Sequence, residues 1–145
     1  MRLQLALNVR DIDAAVDYYS KLFGVKPHKH YDSYANFAIQ EPPLKLVLFR
    51  NPEAKERLHH VGVEVMDDSS IRTTLRRLTE AGVVDEVQRE ETCCHATQDK
   101  VWSREPDGLR WEWYRITDDA PVEALDSLGK TCCTEAAGDG TIGCR

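Results

Sequence analysis

His60-Val61-Gly62-Val63-Glu64-Val65 restates Gln4-Leu5-Ala6-Leu7-Asn8-Val9, which lies 56 residues earlier in the chain. An acidic residue follows two places after each copy, Asp11 in one and Asp67 in the other. Each copy is a period-two apolar run ending at an acidic helix N-cap, so each reads as a strand feeding a helix. Both runs begin with a side chain able to bind a metal, Gln4 and His60. A chain built of two equivalent halves can set two such ligands symmetrically about one point.

Around the first copy, strands are expected at 2–9 and near 25–30, 34–40 and 44–50, with a helix over 12–23. Asp11 is the expected N-cap, and Gly24 lies just past the helix end. Ile12, Val16, Tyr19 and Phe23 recur at helical spacing as one apolar stripe. Glu41-Pro42-Pro43 turns the last two strands, and the polar residues 51–57 read as a linker. The second half repeats the plan. A strand at 58–65 leads to a helix over 69–81, with Ile71, Leu75 and Leu78 inward and Gly82 following. Strands are then expected near 83–89, 98–104 and 109–116, with Pro106-Asp107-Gly108 as a hairpin turn.

Each half is thus βαβββ. A four-stranded sheet with one helix leaves its other face bare, and two such sheets side by side can curve around a shared cavity. The expected fold class is α+β, with two tandem βαβββ modules (1–50 and 58–117) in one domain over 1–117, forming a curved mixed sheet around a metal cavity. Residues 118–145 turn small, polar and cysteine-bearing, and a flexible tail is expected there. The halves can pair within one chain or exchange between two chains of a homodimer.

With 145 residues, 41% of them hydrophobic, the chain can bury one substantial core. A net charge of −6 without a basic block argues against a nucleic-acid partner or an anionic membrane surface. No apolar run reaches the length of a membrane span, and Arg10 and Asp11 interrupt the first strand. Neither a span nor a signal peptide is expected, and the chain reads as cytoplasmic. Four of the five cysteines form adjacent pairs, Cys93-Cys94 and Cys132-Cys133. A disulfide between neighbours is a strained ring, and a reducing compartment keeps thiols free, so the pairs read as dithiols.

Aligning the last strands of the halves sets Leu44-Lys45-Leu46-Val47 against Leu109-Arg110-Trp111-Glu112. Of four symmetric ligand places, Gln4, His60 and Glu112 fill three, and the non-ligand Val47 holds the fourth. Three protein donors leave open metal positions, as catalytic sites require. Nitrogen and oxygen donors suit Fe(II), Mn(II), Co(II), Ni(II) or Zn(II). His59, adjacent to His60 in a strand, is expected on the opposite face with no role at the metal. Lys45 shares strand parity with Val47 and so faces the cavity; it is a candidate for steering an anionic intermediate, although a lysine extending its head to the rim is the favoured expectation. Tyr34, Phe37, Trp102 and Trp111 are available as walls for an aryl group, although core packing accounts for most of them.

The paired βαβββ plan and its ligand set resemble the vicinal oxygen chelate superfamily of glyoxalase I, extradiol dioxygenases and bleomycin- and fosfomycin-resistance proteins. Two longer segments are more specific. Tyr34-Ala35-Asn36-Phe37-Ala38-Ile39-Gln40-Glu41-Pro42-Pro43-Leu44-Lys45-Leu46-Val47-Leu48 and Thr92-Cys93-Cys94-His95-Ala96-Thr97-Gln98-Asp99-Lys100-Val101-Trp102 resemble the branch of organoarsenical carbon–arsenic lyases and cadmium-induced proteins. The resemblance implies an Fe(II)-dependent dioxygenase with Gln4, His60 and Glu112 as metal ligands. Cys93 and Cys94 then hold trivalent arsenic, and dioxygen is the co-substrate. His95 departs from an aromatic residue found after the cysteine pair in that branch, which bears on fine substrate preference.

Trivalent arsenic is thiophilic, and two neighbouring thiolates can displace both exchangeable oxygens of a methyl- or aryl-arsenous acid. The thiolate is the reactive form, and His95 and Lys100 are the nearby groups that can favour it. Gln4 supplies a neutral oxygen, a weaker donor than a second histidine, so modest iron affinity and replacement by other metals during purification are expected. The tail thiols Cys132 and Cys133 are candidates for delivering arsenicals. Two other readings compete. A cadmium- or arsenic-induced metal(loid)-binding protein would use the tail thiols but make the triad superfluous. A glyoxalase-like isomerase would need a fourth ligand where Val47 stands.

Overall fold

The computed structural model describes residues 1–93 and 95–121. Eight strands and two helices follow in the order β1 (Arg2–Val9), α1 (Ile12–Phe23), β2 (Lys29–Tyr31), β3 (Tyr34–Ile39), β4 (Leu44–Arg50), β5 (Leu58–Glu64), α2 (Asp68–Glu80), β6 (Glu86–Cys93), β7 (Ala96–Arg104) and β8 (Arg110–Asp118). They form one mixed sheet in the order β2-β3-β4-β1-β5-β8-β7-β6. Each module therefore contributes four adjacent strands, and β1 meets β5 antiparallel along the seam. Among the described residues no helix is long and apolar enough to cross a membrane.

Both helices start and stop for local reasons. The Asp11 carboxylate accepts from the Ala14 amide at 2.9 Å, and Asp67 accepts from the Ser70 amide at 2.8 Å. Each cap contributes about 1 kcal/mol to its helix. Gly24 ends α1 at φ 66°. After α2 the Gly82 amide donates to the Thr79 carbonyl and the Val83 amide to the Leu78 carbonyl. This is the paired closure that a left-handed residue such as Gly82 (φ 69°) permits.

Alternation then decides the layers. Leu5 and Leu7 of β1, Ala35, Phe37 and Ile39 of β3, and Leu46 and Leu48 of β4 pack under Ile12 and Val16 of α1. Val63 of β5, Val101 of β7 and Trp113 of β8 pack with Ile71 and Leu78 of α2. The opposite face of every strand is turned to a cavity of about 800 Å³. Phe37 thus belongs to the helix-side core, and Trp111 is 36% exposed on the outside of β8, so neither is a cavity wall.

Several boundaries differ from expectation. The strand expected at 25–30 is confined to Lys29–Tyr31, because Pro27 has no amide hydrogen to pair. The strand expected at 83–89 begins at Glu86, since Val83 is consumed in closing α2, and it runs on to Cys93. Cys93 pairs with Ala96, so the strands close up to a turn at His95 in place of the longer loop expected before residue 98. His95 occupies that turn at φ 66°. At the other end β8 continues to Asp118, and Asp119 engages His28 and Lys29. The remainder of the expected tail, with Cys132 and Cys133, and also Cys94, lie outside the described residues.

Candidate functional site

One row of directly opposed residues crosses the floor of the cavity from strand to strand. Lys45 in β4 faces Gln4 in β1, Gln4 faces Gly62 in β5, Gly62 faces Glu112 in β8, and Glu112 faces Trp102 in β7. His60 stands two residues along β5, opposite Ala6. Gly62 is the gap that lets the donors meet. A β-carbon there would lie 2.9 Å from the Glu112 carbonyl oxygen and 3.3 Å from the Gln4 amide nitrogen.

Over that gap the three side chains converge. Gln4 Nε2 is 2.7 Å from Glu112 Oε2 and 2.9 Å from His60 Nε2, and the last two atoms are 3.2 Å apart. Donors about 2.1 Å from one ion lie about 3.0–3.4 Å from each other, so groups this close can share one. The three side chains are thus close enough for one metal ion to be held between them, with nitrogen and oxygen donors. The amide nitrogen stands where a metal would need the amide oxygen, and a half-turn of the Gln4 amide exchanges the two. Among the described residues no three His, Cys, Asp or Glu side chains cluster in metal-binding fashion. The amide of Gln4 is what completes the set.

Electrostatics favour the charged ligand. Burial alone would raise the Glu112 carboxyl, but the Lys100 ammonium, 3.3 Å from Oε1, together with the His60 and Gln4 contacts, holds it down at about 2. Glu112 is thus a carboxylate throughout the physiological range. Lys100, which the sequence placed near the thiols, is one of its neighbours.

His59 does not point away from the cavity. The β1–β5 register shifts between Ala6, opposite His60, and Leu7, opposite Leu58, so His59 is an extra residue in a bulge. The bulge cancels the alternation and brings both histidines to the cavity wall. Their Nδ1 atoms lie 2.7 Å apart. Burial first, then His60 and Arg110, hold the His59 pKa down at about 4, so its ring is neutral. A metal on His60 Nε2 requires the His60 proton on Nδ1, and His59 Nδ1 is in place to accept it.

At the far end of the cavity the β6–β7 turn is tied to the opposite edge of the sheet. Lys29 donates to the His95 carbonyl at 2.7 Å, and the His95 ring stacks on Tyr31 with centroids 4.0 Å apart. Burial, then the Lys29 ammonium, lowers the His95 pKa. Cys93 is buried, and its partner Ala96 lines the cavity, so the thiol sits on the cavity face of β6. Tyr34, Phe49 and Trp102 form aromatic walls between this end and the triad. Lys45 is also buried at 4% exposure, so its head lies inside the cavity and not at the rim.

Two βαβββ modules, joined edge to edge around a cavity with converging donors on its floor, define the vicinal oxygen chelate class. The chain belongs to the glyoxalase/bleomycin resistance protein/dioxygenase superfamily, whose family model matches residues 3–113. It is 47% identical to a trivalent organoarsenical cleaving enzyme of Thermomonospora curvata, over 92% of this chain and 88% of that one. It is 45% identical to the cadmium-induced protein CadI of Mycobacterium tuberculosis, over 98% and 99% of the two chains. A superfamily member from Vibrio splendidus shares the fold with a TM-score of 0.53 at 16% identity, covering 79% of this chain and 97% of its own.

Proposed function

We propose that this chain is a non-heme Fe(II)-dependent dioxygenase that cleaves the carbon–arsenic bond of methyl- or aryl-arsenous acids and releases arsenite. The observation that carries the reading is the convergence of Gln4, His60 and Glu112 in a cavity with a buried thiol, Cys93, on the same face. The relatives named for organoarsenical cleavage support it. Iron held by the three donors would supply the centre at which dioxygen is activated. The rest is the work of the chain. Cys93, with Cys94 beside it in sequence, anchors arsenic through sulfur. The aromatic walls exclude water from the carbon substituent. Lys100 keeps Glu112 ionised, and His59 keeps the His60 proton on Nδ1. Fixing the substrate in one attitude to the metal is what converts binding into rate.

The test is arsenic speciation after incubation of the Fe(II)-loaded protein with methylarsenite, in air and under strict anaerobiosis. Arsenite is expected in air, with several turnovers per protein, and none without dioxygen or with Zn(II) in place of iron. Equal release in all three would overturn the dioxygenase reading in favour of Lewis-acid chemistry. Similarity to cadmium-induced proteins favours a second reading, sequestration of metal or metalloid. That reading predicts stoichiometric capture with no release of arsenite.

The His59 contact makes a prediction of its own. His59→Phe keeps the ring but removes the acceptor for the His60 proton, and metal affinity is expected to fall about tenfold or more. His59→Asn restores an acceptor oxygen and should recover most of it. The measurement is calorimetric titration of the metal-free proteins with Co(II). Equal affinities for the wild type and the Phe variant would remove His59 from the site.

A further inference from the structure

Among the described residues, the carboxylates Glu64, Glu112 and Asp119 at the cavity are each engaged by a cation, and the buried Lys45 has no such partner. Glu64 pairs with Arg2, Asp119 with Lys29 at 2.9 Å, and Glu112 with Lys100 at 3.3 Å. Lys45 lines the same cavity, is 4% exposed, and among the described residues makes no hydrogen bond or ion pair. The carboxylate whose charge bears on it most is Glu64, which Arg2 already engages. A buried ammonium with no counter-charge is costly: burial lowers the Lys45 pKa, and an anionic ligand beside it would favour the charged form. Two further buried polar atoms face this cavity without partners, the Tyr114 hydroxyl and Asn36 Oδ1. The ammonium and the hydroxyl are donors that an anionic oxygen can use, whereas the Asn36 oxygen, an acceptor, is not.

We propose that Lys45 is the centre of a subsite for an anionic oxygen carried by the substrate, with the Tyr114 hydroxyl available as a second donor. Resting on the carbon–arsenic cleavage reading, the substrate class is an aryl-arsenous acid bearing a carboxylate or phenolate on its ring. Size agrees, since a cavity of about 800 Å³ is far larger than methylarsenite needs and lies in the range of drug-sized ligands. Placement agrees as well. Lys45 is directly opposite Gln4 in the sheet, so a ring held between Tyr34, Phe49 and Trp102 reaches Lys45 with its arm while its arsenic faces the thiol end. Methylarsenite has no such arm and leaves the ammonium bare.

The inference is tested by binding and by turnover. Benzoate and its neutral isostere benzamide are titrated into the metal-free full-length protein, which asks only whether the subsite exists. Benzoate should bind the wild type about tenfold to a hundredfold more tightly than it binds Lys45→Met, with benzamide indifferent to the change. Lys45→Arg should keep most of the preference. Lys45→Met removes a buried charge and should melt no lower than the wild type, so loss of folding does not confuse the result. In turnover, the ratio of kcat/KM for 4-carboxyphenylarsenous acid to that for phenylarsenous acid should fall in Lys45→Met by a similar factor. Equal benzoate affinity in wild type and Lys45→Met, or no discrimination from benzamide, would overturn the subsite. A benzoate preference centred on Lys45 without cleavage of either arsenical would uphold the subsite and sink the catalytic reading.

Discussion

Cys93→Ser should release no measurable arsenite from methylarsenite, a loss of at least about a thousandfold, while its iron affinity stays within twofold of the wild type. Arsenic(III) exchanges oxygen for sulfur readily, and a serine hydroxyl, un-ionised at neutral pH, offers no comparable bond. The thiol sits at the end of β6, fixed by pairing with Ala96, and the Gln98 amide donates to its backbone carbonyl at 3.3 Å. That segment is braced across the mouth by Lys29 and Tyr31. The triad lies on other strands and does not use sulfur, so metal and substrate are held by separable groups. The checks are arsenic speciation and calorimetric metal titration on the same preparation. Persistent turnover in Cys93→Ser, together with its loss when Cys132 and Cys133 are replaced, would move the substrate to the tail pair.

Glu112→Gln should lose iron binding by more than a hundredfold and destabilise the metal-free protein by about 3 kcal/mol. The first effect follows from removing the sole anionic donor of the triad. The second follows from leaving the buried Lys100 ammonium without the carboxylate it faces. The pH dependence has a definite sign. The folded pKa of about 2 lies below the ordinary 4.5, so the carboxylate's contribution is present above about 4.5 and is lost as pH falls towards 2. Denaturation of the two metal-free proteins should therefore differ most near neutrality and converge in acid. Unchanged metal affinity in Glu112→Gln would mean that the repeat has been aligned in the wrong register.

The two-module plan is legible because duplication leaves the same alternation twice, 56 residues apart, each copy running into an acidic cap. Both helices fall within one residue of the expected spans for the same reason, since capping and stripe are local. The convergence of Gln4, His60 and Glu112 follows from strand pairing that the repeat implies. Histidine 59 escapes such reasoning. A period of two cannot reveal a bulge, and one extra residue reverses the face of a side chain. The start of β6 was hidden because Val83 and Val84 look like strand residues, while the closure of α2 claims the first of them. Lys45 was placed on the correct face but assigned to the rim. Sequence carries no measure of depth, and Lys45 lies on an inner strand, between β3 and β1, where it is 4% exposed.

Val47 occupies the place in the first module that Glu112 occupies in the second, opposite Ala6 as Glu112 is opposite Gly62. Two equivalent places could hold two donors, and this chain has a donor at one of them. The twofold symmetry of the modules is thereby broken at Val47 as well as at Gln4 and His60, which gives the centre a front and a back. Its back is the second module, where His60 and Glu112 stand. Its front opens on β3 and β4, where Tyr34, Asn36 and Lys45 line the approach. The direction from which a small molecule would meet the triad is thus set by a residue that offers no donor, and a carboxylate placed at Val47 would narrow that approach.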